Sequence, residues 1–134
     1  MSDPELEKIL KRKIRDLQRR EEDVKMSGSI ELTGGNFNMI MSDSKPVLID
    51  FWAEWCGPCR VMHPVFEKLA SEFGDKVVFA RLNVDDNGDL AAKYRVMSIP
   101  TFMVFSSGKP IDMVVGAVGE DGLKNLIQKH IDSN

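Results

Sequence analysis

The chain has 134 residues, enough for one domain with a real core, and 43% of them are hydrophobic, an ordinary share for a globular protein. Its formal net charge of −3, with acidic residues spread along the length, leaves no basic face that would argue for nucleic acid. No apolar run approaches the roughly eighteen residues of a membrane span, and the start of the chain is charged where a secretion signal would be apolar, so a cytoplasmic location is expected.

Residues 1–26 read as a charged helical extension and 27–134 as the main domain. Pro4 to Lys25 is dense in charge and holds no aromatic residue; Leu6, Leu10, Ile14 and Leu17 recur at helical spacing, which predicts an amphipathic helix capped by Ser2 or Asp3. Three clean heptads are lacking, so this helix is expected on its own domain or partly frayed, with a partner or self-association helix as the alternative, and the protein is expected as a monomer. Ser27-Gly28-Ser29 follows as a hinge.

Beyond it the predicted elements alternate. Ile30–Thr33 is a short strand, Phe37–Met41 a short helix and Val47–Ala53 a buried strand; a helix over Pro58–Phe73, a strand over Val77–Asp85 and a short helix over Asp89–Tyr94 come next. Thr101–Phe105 and Ile111–Val115 are strands of a hairpin turning through Ser106-Ser107-Gly108-Lys109, and Glu120–Ile131 is the last helix, with Leu123, Leu126, Ile127 and Ile131 inward. Parallel strands joined through helices and finished by a hairpin imply an α/β fold, a mixed central sheet covered by helices on both faces. Pro64 predicts a kink in its helix, and the scattered methionines read as filler rather than a binding stripe.

Trp55-Cys56-Gly57-Pro58-Cys59 carries both cysteines of the chain at a strand-to-helix turn. Proline is favoured in a first helical turn, and Gly57 tolerates the tight approach. Residues three apart in a helical turn lie roughly 5 Å apart Cα to Cα, inside the roughly 4.4–6.8 Å window of a disulfide. Cys56 at the helix N-terminus meets free N–H groups and the positive end of the dipole, which favour a thiolate; it is the expected nucleophile and Cys59 the resolving thiol. Zinc needs about four ligands and only His63 and His130 remain, so no metal is expected. Haem attachment would need His where Arg60 stands, and a structural bridge over so short a loop removes little unfolded-state entropy.

At these residues the chain resembles the thioredoxin family, from about Ile30 to Ile131. The active-site signature is matched by Asp50-Phe51-Trp52-Ala53-Glu54-Trp55-Cys56-Gly57-Pro58-Cys59, the central strand end by Leu82-Asn83-Val84-Asp85, and the cis-proline loop by Tyr94 to Thr101. Gly108 and Val115-Gly116-Ala117 resemble the late turn and strand. The Gly-Pro pair is more similar to the thioredoxins proper than to the isomerase or oxidase branches.

The resemblance implies a thioredoxin fold and a general protein-disulfide reductase, an electron carrier that contributes to cell redox homeostasis. Its partners would be disulfide-containing proteins and a separate thioredoxin reductase; nothing resembles a flavin or nicotinamide site, so no cofactor is expected. Asp50 interrupts an apolar strand, and burial without a cationic partner would raise its pKa; the resemblance makes it the acid that exchanges a proton with Cys59. Composition alone would put the bond before Pro100 in trans, whereas the resemblance makes Ile99-Pro100 cis and sets the Ile99 backbone to pair with substrate. Trp55, Gly57, Pro58, Ile99, Pro100, Gly116 and Ala117 would bind substrate around one exposed sulfur, with Val115 nearby and Trp52 more core than contact. Arg60 reads equally as an aid to the thiolate or a solvated residue, and His63, which shares the side of Cys59, as a surface histidine departing from the family's usual small residue. Two alternatives stand beside the reductase reading: a binding module working without redox turnover, which would leave function intact when Cys56 is replaced, and a metal-binding thiol protein, which would carry bound metal.

Overall fold

The computed structural model describes residues 28–131. The helix expected over Pro4–Lys25 lies outside the described residues, as does Ser27 of the hinge. Five strands form one mixed sheet in the order β1-β3-β2-β4-β5: β1 is Ile30–Glu31, β2 Val47–Trp52, β3 Val78–Asn83, β4 Thr101–Ser106 and β5 Lys109–Val115. Four helices accompany them, α1 at Phe37–Met41, α2 at Gly57–Phe73, α3 at Gly88–Lys93 and α4 at Gly119–Ile131.

Strand β2 is central, running parallel to β3 and antiparallel to β4. Both of its faces are covered, which is why its sequence Val-Leu-Ile-Asp-Phe-Trp is apolar at nearly every position instead of alternating. Side chains of a strand point alternately to opposite faces. Leu48 packs with Met62, Phe66 and Leu69 of α2 and with Leu123, Leu126 and Ile127 of α4. Val47, Ile49 and Phe51 pack on the other face with Phe37 and Ile40 of α1, against which Leu90 of α3 also leans. The helix α2 runs through Pro64, which has no N–H to offer the Arg60 carbonyl.

Several expected boundaries shift for local reasons. The first strand stops at Glu31 because the Thr33 N–H donates to Asn36 Oδ1 at 2.7 Å and turns the chain away. Strand β3 is shorter than Val77–Asp85 at both ends: Val77 N–H belongs to the Phe73 carbonyl at 2.9 Å, and the ladder ends where Trp52 faces Asn83. The hairpin turn narrows to Ser107 and Gly108, at φ 52° and 78°, so both central residues adopt the left-handed backbone that a two-residue turn of this twist requires. Strand β5 therefore begins at Lys109 and includes Pro110, which an edge strand accommodates because one side needs no N–H.

Phe66 is fully buried, with its ring edge-on to Phe79 at 5.2 Å and tilted against Phe102 at 6.0 Å, so it ties α2 to both halves of the sheet. Phe66→Ala is expected to destabilise the fold by about 3–5 kcal/mol, the range for a buried aromatic truncated to alanine. Denaturant unfolding of both proteins measures it, and a midpoint shift worth under about 1 kcal/mol would mean the cavity collapses without loss.

Candidate active site

The strand β2 delivers the chain to Ala53, and a turn closed by Cys56 N–H donating to the Ala53 carbonyl at 3.2 Å places Cys56 as the cap of α2. Gly57 is the first helical residue and Pro58 falls in the first turn, where a missing N–H leaves no carbonyl unpaired. Cys56 and Cys59 are joined in a disulfide with Cα atoms 5.2 Å apart, and the Cys59 backbone N–H donates to Cys56 Sγ at 3.2 Å. That donor is one of the free N–H groups of the helix start, aimed at the sulfur. Cys56 is 4% exposed and Cys59 1%. The expected exposed sulfur is thus almost covered; Ala53 packs with the pair, and Trp52, Val84 and Ile99 lie against it.

The bond between Ile99 and Pro100 is cis, as the resemblance implied. Cys56 Sγ lies 3.8 Å from the Ile99 carbonyl oxygen, so this loop borders the dithiol. Thr101 Oγ1 donates to the Ser98 carbonyl at 2.6 Å and Gly116 N–H to the Pro100 carbonyl at 2.8 Å, which fastens the loop to the end of β5. Gly116 has φ 97°, a backbone that side chains rarely adopt. Ala117 is exposed next to it. Trp55 is 70% exposed, held by its indole N–H donating to Asp85 Oδ2 at 2.9 Å. Beyond Trp55, Met97 at 93% and the partly exposed Val115 and Val118 add apolar surface; Met97 and Val118 were not among the residues the sequence singled out.

Asp50 is fully buried. Strand alternation puts it between Leu48 and Trp52 on the face that α2 covers, the face that also carries Cys59. The expectation of a carboxylate with no cationic partner is corrected by Arg81, its direct neighbour in the β2–β3 ladder, whose Nε donates to Asp50 Oδ2 at 3.1 Å. Asp50 Oδ1 has no hydrogen-bond partner among the described residues. Burial nonetheless prevails, and the carboxyl is raised from 3.8 to about 6; the charge and hydrogen bond of Arg81 pull it down, and Glu67 adds a smaller upward push. The Arg81 guanidinium also stacks 4.1 Å from the centre of the Trp52 ring. Trp52 is half-buried, joining the pair to the dithiol.

Arg81 was missed in the sequence, although it is the one charge in the strand Val78-Phe79-Ala80-Arg81-Leu82-Asn83. Two charged residues interrupting two neighbouring buried strands is the signal that would have paired them. Arg60 donates from Nε and from the second guanidinium nitrogen to the Glu54 carbonyl, at 3.1 and 2.8 Å, so it braces the turn before the dithiol. His63 Nε2 lies 3.5 Å from Glu67 Oε1 one turn further along α2.

A family model described as Thioredoxin matches residues 28–129. A thioredoxin of Alicyclobacillus acidocaldarius is 47% identical over 88 residues, 66% of this chain and 84% of that protein. Thioredoxin 1 of a Nostoc species is 42% identical over 107 residues, 79% of this chain and all of its own length. Among solved structures, a thioredoxin variant from Halobacterium salinarum superposes with a TM-score of 0.74 at 36% identity, covering 80% of this chain and 94% of that one.

The raised carboxyl makes stability depend on pH. An acid whose folded pKa of about 6 exceeds its unfolded value near 3.8 destabilises the fold only when ionised. The penalty is absent below the unfolded value, grows as pH rises through the folded one, and reaches on the order of 3 kcal/mol above it. Asp50→Asn keeps an oxygen for Arg81 and cannot ionise. Its stability relative to the parent is expected to rise between pH 4 and pH 8 in denaturant unfolding, whereas an equal difference at both values would show that Asp50 is not a penalised acid.

Proposed function

The chain belongs to the thioredoxin family, and within its activity as a protein-disulfide reductase we propose that Cys56 attacks, Cys59 resolves and Asp50 accepts the resolving proton. Cys56 thiolate attacks one sulfur of a substrate disulfide; a Cys56–substrate bond forms and the other substrate sulfur leaves as thiolate. Asp50 then takes the proton of Cys59, whose thiolate attacks Cys56 Sγ. The Cys56–Cys59 bond forms, the mixed disulfide breaks, and the substrate leaves with both its sulfurs reduced.

The observation that carries this order is the Cys59 N–H aimed at Cys56 Sγ from the start of α2, a donor that favours negative charge on Cys56 rather than on the more enclosed Cys59. For docking, the reading uses Trp55, Gly57 and Pro58 on one side of the sulfur and Ile99, Pro100, Gly116 and Ala117 on the other, with the Ile99 backbone pairing to an extended substrate segment. A separate reductase restores the dithiol, which makes the protein an electron-transport component, and we assign it to the cytoplasm as a monomer. Among the described residues no helix is long and apolar enough to cross a membrane. Residues 1–26 are assigned as an accessory extension, since every residue given a chemical role lies in the domain that follows.

Cys56→Ser is expected to abolish reduction of a protein disulfide, while Cys59→Ser accumulates a mixed disulfide visible by mass spectrometry. Faster alkylation of Cys59 than of Cys56 in the reduced protein at neutral pH would reverse the roles. Removing residues 1–25 is expected to keep turnover within about threefold, under about 0.7 kcal/mol of barrier. A loss above about tenfold would make the extension part of the machinery.

A further inference from the structure

Beside the dithiol, on the Trp52 side, a cleft of about 270 Å³ is lined by Trp52, Glu54, Cys59, Arg60, His63 and Arg81. It has room for several waters. It joins what is otherwise separate: the resolving cysteine, the arginine that holds Asp50, and a half-exposed imidazole. We propose that His63 is the proton-relay residue of this cleft, carrying the proton that Cys59 gives up during resolution from the Asp50 site to bulk water.

Of the groups that face the cleft, His63 alone is suited to pass a proton on. Arg81 touches Asp50 and Arg60 braces the Glu54 carbonyl, but a guanidinium stays protonated at any pH the protein meets and cannot pass a proton on. Glu54 lines the rim of the cleft, and its backbone carbonyl is taken by Arg60. Histidine is the side chain whose two protonation states are both accessible there, and imidazole can accept on one nitrogen while donating from the other. Its place is fixed from behind. Glu67 sits 3.5 Å from His63 Nε2, and that carboxylate is itself held from the β1 side, where Ser29 donates to it from Oγ at 2.5 Å and from its backbone N–H at 3.2 Å. The anchored carboxylate holds the imidazole at the mouth of the cleft.

The inference rests on the proposed roles of Cys59 and Asp50. In the step itself Cys59 S–H loses its proton to the Asp50 carboxylate, the Cys59 thiolate displaces the substrate thiolate from Cys56, and the proton on Asp50 passes through water of the cleft to His63 and out. No oxidant or reductant beyond the substrate disulfide and the dithiol takes part.

Reduced full-length protein and its His63→Ala variant are mixed with a peptide disulfide and quenched in acid at intervals. Mass spectrometry then follows formation of the mixed disulfide separately from its resolution. Formation is expected to be unchanged within about twofold; resolution at neutral pH is expected to slow roughly tenfold, below the full range for a positioned acid–base group because His63 is one remove from the sulfur. Added imidazole should restore most of the lost rate, and the deficit should shrink at alkaline pH as hydroxide takes over the relay. Unchanged resolution overturns the proposal, and so does slow resolution that imidazole does not restore, which would make His63 a packing residue. Failure to form the mixed disulfide in the parent protein would instead strike at the assignment of Cys56.

Discussion

A carboxylate enclosed under α2 sets the terms for the rest of the site. Asp50 occupies the middle of the central strand, with ladders on both sides and helices above and below, and is fully buried there. An ionised group in that position demands a partner, and the parallel register of β2 and β3 supplies Arg81 directly opposite. The partner in turn must be kept from swinging to solvent, which its stacking on Trp52 accomplishes. Trp52 then packs against the dithiol. A chain of contacts thus leads from the one buried acid to the sulfurs, and each link is explained by the one before it.

The position of the chemistry follows from topology. The strand β2 ends at Trp52 and the chain must cross to α2 to return parallel as β3, so the N-terminus of α2 opens at the carboxyl end of the sheet, where α/β folds leave their crevices. The loop before β4 arrives at the same end from the opposite direction, because β4 runs antiparallel to β2 and must begin where β2 finishes. The Ile99 carbonyl lies beside Cys56, and the Gly116 N–H secures the loop from the next strand. A helix start whose N–H groups face Cys56 and the loop that carries Ile99 are brought together by strand direction.

Much of this was legible in the sequence because it depends on local rules. The two cysteines at a strand-to-helix turn, the proline in the first helical turn and the apolar run broken by Asp50 are each read within a few residues. The dithiol separation expected from helix geometry agrees with the 5.2 Å found. Arg81 was not legible in the same way: it stands 31 residues from Asp50, and only the register of two parallel strands makes them neighbours. Glu67 was hidden for a related reason, since its meaning comes from Ser29, 38 residues away. The cis bond before Pro100 came from resemblance and not from propensity, which favours trans. The near-complete covering of Cys56 reflects Ile99 arriving from a distant loop, a contact that spacing around the cysteines cannot reveal.

The energetic penalty of the buried acid and its raised basicity have one origin. An ordinary thiol with pKa about 8.5 gives its proton to an ordinary carboxylate only against a gap of more than four units, roughly 6 kcal/mol. Burial lifts Asp50 to about 6 and narrows that gap to about two and a half units, roughly 3.4 kcal/mol. The reduction, about 3 kcal/mol, is the amount by which ionised Asp50 destabilises the fold at neutral pH. Arg81 limits the rise: its charge and hydrogen bond pull the carboxyl down against burial. Burial and the pairing with Arg81 therefore act in opposite directions on one carboxyl, and the balance between them sets the pH at which Asp50 ionises.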